Sequence, residues 1–213
     1  MHKYNLIEEI IAKERTLISR ERLINIHDKC NLFNNTNLSF VECGVAKGGC
    51  LALMAAMSGV NNKVFGFDSF EGMPNIVEQG IDISYNKLPI EYVIGSNFSQ
   101  GIESVFETFT SLNLNGQNTT IIKGFFQDVF AINKYIDLIG DIAILRLDGD
   151  WYDSTKVCLD KLYDKVVVGG IIIIDDYGFW VGAKRATDEF REERKIDSPL
   201  IKVDETEFYW IKR

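Results

Sequence analysis

The sequence has few prolines, no long hydrophobic run and no excess of positive charge. The three prolines, together with 12% aromatic residues, fit a regular and densely packed fold. The longest apolar stretch, residues 166–174, has nine residues including two glycines, whereas a membrane-spanning helix needs about 20. Because 31 acidic residues outnumber 23 basic ones, we expect neither a nucleic-acid nor an anionic-membrane surface, since both require a basic face.

Cysteine is also scarce. The four cysteines are Cys30, Cys43, Cys50 and Cys158, and they form no Cys-x-x-Cys pair and no metal-finger spacing. So few cysteines in 213 residues do not indicate a disulfide framework, and we interpret them as reduced thiols of a cytoplasmic protein. The length suits one domain with a full hydrophobic core, and we therefore expect a single domain over residues 1–213.

The order of hydrophobic segments predicts an α/β fold. Residues 5–29 have helical spacing of apolar side chains, so residues 1–36 are expected to form an N-terminal helical segment before a core of residues 38–213. Strands are predicted at 38–43, 63–67, 119–123, 142–147 and 170–174, helices at 50–58, 102–112, 128–135, 155–163 and 182–194, and an antiparallel pair at 201–203 and 208–211. This order predicts a doubly wound, mostly parallel sheet with helices on both faces.

Residues 73–100 interrupt this alternation. The segment contains Pro74, Gly80, Pro89 and Gly95 and shows no helical or strand period. An irregular stretch of this length is uncommon in a compact domain unless it is functional. We interpret it as a loop or lid over the site.

Acidic residues stand where the predicted strands end, namely at Glu42, Asp68, Asp148 and Asp175. Ligands of doubly wound sheets bind at the carboxyl ends of the strands. The sequence therefore places the functional site at this edge of the sheet.

The first candidate motif is the glycine-containing loop of residues 41–49 after the first strand. Glycines there allow a sharp turn and a close approach to a ligand, although the loop has neither the P-loop pattern nor a full Gly-x-Gly-x-x-Gly pattern. Asp68 follows Gly44 by 24 residues at the end of the next strand, where an acid can bind both hydroxyls of a ribose. The two readings are a nucleoside site and a simple tight turn with a capping aspartate.

The second motif combines residues 145–152 with Asp175 and Asp176. If the two strands are parallel neighbours, Asp148, Asp175 and Asp176 converge, and crowded carboxylates repel one another unless a cation is present. A hard divalent ion with oxygen ligands, most simply Mg²⁺, resolves this conflict. Helix capping explains one aspartate in a loop but not four in two loops.

Aromatic residues lie beside these acidic loops. They are Phe125, Phe126, Trp151, Tyr177, Phe179 and Trp180. Some follow predicted strands, so the set could form the wall of a pocket. It could equally be part of the hydrophobic core.

At these motifs the sequence resembles the macrocin-type sugar O-methyltransferases. The resemblance rests on Val-Glu-Cys-Gly-Val with the following Gly-Gly, on Phe-Asp-Ser-Phe-Glu-Gly-Met-Pro, on Leu-Arg-Leu-Asp-Gly-Asp-Trp-Tyr and on Ile-Asp-Asp-Tyr-Gly. These motifs occur in the family's order within residues 38–195. The resemblance implies a class I methyltransferase fold and a Mg²⁺-dependent enzyme that uses S-adenosylmethionine to methylate a sugar hydroxyl.

The resemblance also implies roles for individual residues. Glu42 and Gly44 would hold the methionine part of S-adenosylmethionine, and Asp68, with Ser69 beside it, would bind the ribose. The turn containing Phe126, Gln127 and Asp128 would contact the adenine. Asp148, Asp175 and Asp176 would bind Mg²⁺, and Asp150 would be the general base. The acceptor pocket would be formed by the region before Phe40 and by the loop within residues 73–100, and neither the region before Phe40 nor residues 75–100 carry a motif of the family.

Two other functions remain open from the sequence. Asp148-Gly149-Asp150 could be the Asp-x-Asp site of a metal-dependent glycosyltransferase, although the loop at Gly44 with Asp68 favours a nucleoside at the first two strands. A binding module on a degenerate methyltransferase fold would have no chemical need for Asp150. The partner is expected to be a small sugar or glycoside, and the amphipathic N-terminal helix could support a homo-oligomer.

Overall fold

The computed structural model describes residues 4–73 and 100–213. The loop predicted over residues 73–100 therefore lies outside the described residues, except for its two ends. None of the helices in the described ranges is both long enough and apolar enough to span a membrane.

The chain begins with two helices, α1 (Asn5–Ala12) and α2 (Arg20–Leu32). The Ser19 hydroxyl caps α2 by accepting a hydrogen bond from the Arg22 backbone N–H at 3.3 Å, which satisfies one of the free donors of the first turn. The apolar faces of both helices are buried within the chain, in a cluster that includes residues of α3 (Gly49–Met57). The amphipathic N-terminal segment therefore covers the core of its own domain.

The strands form one mixed sheet in the described residues. They are β1 (Ser39–Cys43), β2 (Lys63–Asp68), β3 (Thr119–Lys123), β4 (Ile142–Leu147), β5 (Val166–Ile174), β6 (Ile201–Lys202) and β7 (Phe208–Ile211). Their order is β3-β2-β1-β4-β5-β7-β6. Strands β1 to β5 are parallel, and β7 is antiparallel to both β5 and β6. This confirms the predicted doubly wound sheet with an antiparallel C-terminal pair.

The remaining helices connect the strands. They are α4 (Glu103–Ser111), α5 (Phe126–Val129), α6 (Asn133–Ile139), α7 (Tyr152–Leu162), which continues into a 3₁₀ turn, and α8 (Val181–Glu193). The helix predicted over 128–135 is wrong, because two short helices occupy this region. Between them the fully buried Phe130 packs against Phe67 at a centroid distance of 4.9 Å, and Ile132 is extended.

The sheet is buried on both faces, and this positions the site. Alternate residues of the central strands point to two different apolar clusters, Ile144 to one and Leu145 to the other. In the register of the sheet, Cys43 lies opposite both Phe67 and Leu147, and Leu147 lies opposite Ile174. The next residues of β1, β4 and β5 therefore leave the sheet at one level, where the acidic loops meet.

Candidate active site

A cavity of about 570 Å³ opens at the carboxyl ends of the parallel strands, a size typical of small-molecule sites. Of the residues predicted for the site, all but Asp128 line this cavity. The lining members are Glu42, Gly44, Asp68, Ser69, Phe126, Gln127, Asp148, Asp150, Asp175 and Asp176. Asp128 is exposed, on the short helix α5. The parallel topology thus brings together five loops that are far apart in the sequence.

Gly44 brings the loops after β1 and β4 into contact. Its φ is +92°, and a Cβ at this position would lie 1.9 Å from the carbonyl oxygen of Asp148. The Asp148 N–H also donates to the Cys43 carbonyl at 2.8 Å. Only glycine tolerates both this φ and this approach, so Gly44 sets the floor of the cavity.

Asp68 organises the same floor from β2. One carboxylate oxygen accepts hydrogen bonds from the backbone N–H groups of Val45 and Ala46 at 2.7 and 2.9 Å, and the other accepts from Phe70 at 2.7 Å. Asp68 therefore caps the turn after β1, as one of the two interpretations of the sequence predicts. A carboxylate has about four acceptor positions, so one further donor can be bound. Beside it, the Ser69 hydroxyl accepts from the Glu71 N–H at 3.1 Å.

Arg146, to which sequence reasoning gave no role, lies beneath the acidic loops. Its side chain is 1% exposed at the end of β4. One terminal nitrogen donates to Glu42 at 2.9 Å and to Asp148 at 3.0 Å, and the other donates to Asp175 at 2.6 Å. A buried charge must be paired. The single arginine in the otherwise apolar strand β4 was therefore the signal in the sequence that acidic partners lie beside it.

Asp175 is held by two arginines. Besides the bond from Arg146, its second carboxylate oxygen accepts from Arg22 of helix α2 at 2.8 Å. The Arg22 Nε donates in turn to Asp204 at 2.7 Å. Helix α2 is thus tied by ion pairs to the cavity and to the loop before β7, a link that the sequence did not indicate.

Asp148, Asp150 and Asp176 form the closest acidic group. Each offers a carboxylate oxygen within 4.8 Å of those of the other two. Of the predicted metal ligands, the structure therefore brings Asp148 and Asp176 together, and it adds Asp150. Asp175 follows in the same loop but has its oxygens on Arg146 and Arg22.

Burial and mutual repulsion raise the pKa values in this group. Burial, with the charge of Asp148 next, raises the pKa of Asp150 to about 8. Burial and Asp175 raise the pKa of Asp148 to about 6 against the lowering effect of Arg146. The pKa of Asp176 lies well above its usual value because of burial and the nearby Asp150. These carboxylates therefore favour either protons or a bound cation.

Glu42 completes what we call the acidic network. Its side chain is 1% exposed, and one oxygen accepts from Arg146 while the other, Oε2, has no hydrogen-bond partner among the described residues. Burial raises its pKa to about 7, although Arg146 lowers it. The acidic network consists of Glu42, Asp148, Asp150, Asp175, Asp176, Arg22 and Arg146.

Aromatic and aliphatic side chains line the walls of the cavity. Phe125, Phe126, Phe179 and Trp180 line it, whereas Trp151 and Tyr177 do not, so the aromatic set divides between pocket wall and core. Residues 15–18, between α1 and α2, line the cavity as well. Leu17 there is 76% exposed, which leaves an apolar side chain available to a ligand.

Sequence comparison places the chain among methyltransferases. The family model macrocin-O-methyltransferase (TylF) matches residues 10–212. The demethyldecarbamoylnovobiocin O-methyltransferase of Streptomyces niveus is 33% identical over 205 residues, covering 93% of this chain and 76% of the relative. The mycinamicin III 3''-O-methyltransferase of Micromonospora griseorubida is 26% identical over 209 residues, covering 95% of this chain and 80% of the relative.

Solved structures give the same result for the fold. The O-methyltransferase NovP matches with a TM-score of 0.81 and 32% sequence identity, covering 93% of this chain and 82% of NovP. This match confirms the class I methyltransferase fold that the sequence motifs imply. Because the family model spans nearly the whole chain and its relatives are methyltransferases, this protein is a methyltransferase of the macrocin-O-methyltransferase (TylF) family.

Proposed function

We propose that this protein transfers a methyl group from S-adenosylmethionine to a hydroxyl of a sugar, in a Mg²⁺-dependent reaction with Asp150 as the general base. The observation that carries the proposal is that a glycine-dependent cradle and an acidic cluster share one cavity. Gly44 and Asp68 form the cradle, and Asp148, Asp150 and Asp176 form the cluster.

The acidic cluster fits a hard divalent cation. All of its donors are oxygens, which Mg²⁺ prefers. Burial and the neighbouring carboxylates raise the pKa values of Asp148 and Asp150, and a bound cation would favour the ionised form of both. We propose Asp148, Asp175 and Asp176 as the residues that would hold Mg²⁺, although both carboxylate oxygens of Asp175 also accept hydrogen bonds, one from Arg146 and one from Arg22. When bound, the ion would lower the pKa of a nearby sugar hydroxyl.

The cradle fits S-adenosylmethionine. The backbone at Gly44 has no room for a side chain, and Glu42 offers the methionine part a buried carboxylate oxygen, Oε2, with no partner among the described residues. Asp68 can accept one further hydrogen bond, and we assign this bond to the ribose. Phe126 and Gln127 line the part of the cavity assigned to the adenine. Asp128, the third residue predicted for the adenine turn, is exposed and is not among the residues that line the cavity.

The proposed chemistry requires little from the protein beyond position and a base. The hydroxyl oxygen bonds to the methyl carbon as the carbon–sulfur bond breaks, and the hydroxyl proton passes to Asp150. Holding the two reactants for in-line attack supplies much of the rate. Asp150 lies beside Asp148 and Asp176, so it can reach a hydroxyl held against the cluster.

The acceptor is proposed to be a sugar attached to a larger apolar or nucleotide group. The relatives described above are O-methyltransferases named for demethyldecarbamoylnovobiocin and for mycinamicin III. In this chain Leu17, Ile18 and Phe179 border the cavity, which suits an apolar neighbour of the sugar. The glycosyltransferase alternative is set aside, because the chain belongs to a methyltransferase family.

The test of this function is methyl transfer from labelled S-adenosylmethionine to a panel of deoxysugar nucleotides and glycosides. Asp150→Asn keeps the shape of the side chain and removes its basicity, so we expect kcat to fall about 10²- to 10⁴-fold. The affinity for S-adenosylhomocysteine, measured by calorimetry, should not change. Turnover of Asp150→Asn close to wild type on the best acceptor would refute the assignment of the base.

The metal ligands need a separate experiment, because the carboxylate grouped with Asp148 and Asp176 is that of Asp150 and not that of Asp175. Mn²⁺ binding can be followed by electron paramagnetic resonance in Asp175→Asn and Asp150→Asn. If Asp175 is a ligand and Asp150 the base, the first variant loses Mn²⁺ affinity and the second retains it. The reverse result would make Asp150 the third ligand and remove it as base.

A further inference from the structure

Trp180 makes a specific contact with Asp150. The indole Nε1–H donates to Oδ1 of Asp150 at 2.7 Å. Trp180 immediately precedes helix α8, whereas Asp150 lies in the loop after β4. The bond therefore joins the two loops that carry the acidic cluster.

The indole ring itself is immobilised by packing. Trp180 is 4% exposed and meets Trp151 and Phe179 in edge-to-face contacts, each with a centroid distance of 4.9 Å. Ala183 of α8 belongs to the same small cluster. Because the indole ring is packed from two sides, the direction of its N–H is fixed. The carboxylate oxygen of Asp150 that accepts this hydrogen bond is therefore held in place as well.

Asp150 needs such support because its backbone is unusual. Its φ is +59°, in the left-handed region that non-glycine residues seldom adopt. Its N–H donates to Asp176 at 3.3 Å, which orients the backbone but not the carboxylate. Strained residues at a functional site persist only when their surroundings hold them.

From this geometry we infer that Trp180 is a positioning residue, whose indole N–H holds Oδ1 of Asp150 so that Oδ2 accepts the proton of the acceptor hydroxyl. The inference rests on the proposed function, because it assigns a task to the proposed base. A carboxylate free to rotate about its Cβ–Cγ bond would present the accepting oxygen in only part of its orientations. Misplacement of a reacting group by about 1 Å can cost 10²-fold in rate.

The primary test is Trp180→Phe, which keeps an aromatic ring in the cluster and removes the N–H. We expect kcat to fall about 10- to 100-fold, with little change in KM for the acceptor or in the affinity for S-adenosylhomocysteine. Trp210→Phe is the matched control, because Trp210 is fully buried in the core and does not line the cavity. Its kcat should equal that of the wild type.

A second variant covers the possibility that Trp180→Phe disturbs folding. Site-specific replacement of Trp180 by 3-benzothienylalanine keeps the size and shape of the indole and substitutes sulfur for the N–H. The fall in kcat should be the same as in Trp180→Phe. Full activity of this analogue overturns the inference, since packing would then be the only contribution of Trp180.

A double-mutant cycle separates this inference from the proposed function. If Trp180 acts through Asp150, Trp180→Phe has no further effect on kcat in an Asp150→Asn background, whereas independent effects would multiply. Multiplying effects overturn the inference. If Asp150→Asn retains wild-type turnover, the proposed base is wrong. If Asp150→Asn is impaired and Trp180→Phe is not, only the inference about Trp180 fails.

Binding of Mn²⁺ provides a readout that does not depend on turnover. In Trp180→Phe the Mn²⁺ affinity, measured by electron paramagnetic resonance, should stay within a factor of about 2, since the indole orients the base and not a ligand. A marked loss of affinity would contradict the inference, because the indole would then be orienting a metal ligand.

Discussion

Replacing Arg146 by methionine is the most direct test of the acidic network. Arg146 is 1% exposed and donates to three carboxylates, those of Glu42, Asp148 and Asp175. Methionine has a similar length and no charge, so the change removes the three bonds without opening a large cavity. Glu42 and Asp175 would then be buried with less compensating positive charge.

The expected loss of stability follows from this arrangement. Removing one partner of a buried ion pair costs about 3–5 kcal/mol. For a chain of this size, each kcal/mol lowers Tm by about 2–4 °C, so we expect Tm to fall by roughly 10 °C. Arg146 lowers the pKa values of Glu42 and Asp148, so both rise further without it, and the folded state then binds protons that the unfolded state releases. Stability must therefore fall as pH rises, and the loss should be larger at pH 8 than at pH 6.

The assay is unfolding by heat for Tm and by urea for the free energy of unfolding, both followed by circular dichroism at pH 6 and pH 8 in EDTA. A matched control is Arg194→Met, because Arg194 forms an ion pair with Asp164 in which both side chains are exposed, and exposed pairs contribute about 0–1 kcal/mol. Mg²⁺ should restore part of the loss in Arg146→Met by supplying positive charge to the same carboxylates. A stability of Arg146→Met within 1 kcal/mol of wild type at pH 8 in EDTA would refute this reasoning.

Three further predictions concern the cavity and a buried carboxyl group near Asp175. Gly44→Ala should abolish S-adenosylhomocysteine binding in calorimetry, because its Cβ would lie 1.9 Å from the Asp148 carbonyl oxygen. The control Gly169→Ala, at a position with φ +85° and open space around it, should bind normally. Normal binding by both variants would contradict the proposed cradle. Mg²⁺ at about 100 times its Kd should stabilise the wild type by about 2.7 kcal/mol in thermal denaturation and Asp176→Asn much less, and equal shifts would remove Asp176 as a ligand. Burial and the neighbouring Asp175 raise the pKa of Glu207 to about 8, so the stability of the wild type should decrease as pH rises from about 4.5 to 8. Glu207→Gln, which can keep the bond from Asn25, should show a smaller decrease of the urea midpoint over this pH range. A decrease as large as in the wild type would exclude Glu207 as the source of the pH dependence.

Most of the fold could be predicted because its signals are local. An unbroken run such as residues 170–174 is apolar on both faces, as a central parallel strand requires, and the acidic residues after it mark the carboxyl edge. The predicted helix over 128–135 was wrong for a reason that the sequence does not display. The helix is interrupted at Ile132, whose backbone is extended. Just before this break Phe130 packs against Phe67, a contact that exists only once β2 and β3 are paired.

Part of the site could also be predicted, because its residues follow the ends of parallel strands that meet at one edge of the sheet. Strand ends brought Asp148 and Asp176 together as expected. The sequence did not reveal that Arg146 and Arg22 would share Asp175, because the partners of a buried charge depend on sheet order and on helix packing. Nor did it reveal the bond from Trp180 to Asp150, since a tryptophan after a strand fits a core position as well as a site.

The charges of the acidic network support a base inside the site. It contains five carboxylates and two arginines, and Arg22 also pairs with Asp204, so negative charges outnumber positive ones when all are ionised. The proposed divalent cation and the sulfonium group would supply positive charge to it. During methyl transfer the sulfonium charge disappears, and an oxygen that loses its proton to bulk water would leave the buried network with one excess negative charge. If Asp150 takes that proton, the network keeps the same total charge before and after the step. In a poorly solvated site an uncompensated charge is costly, so the acceptor of the proton should lie within the network, where Asp150 is.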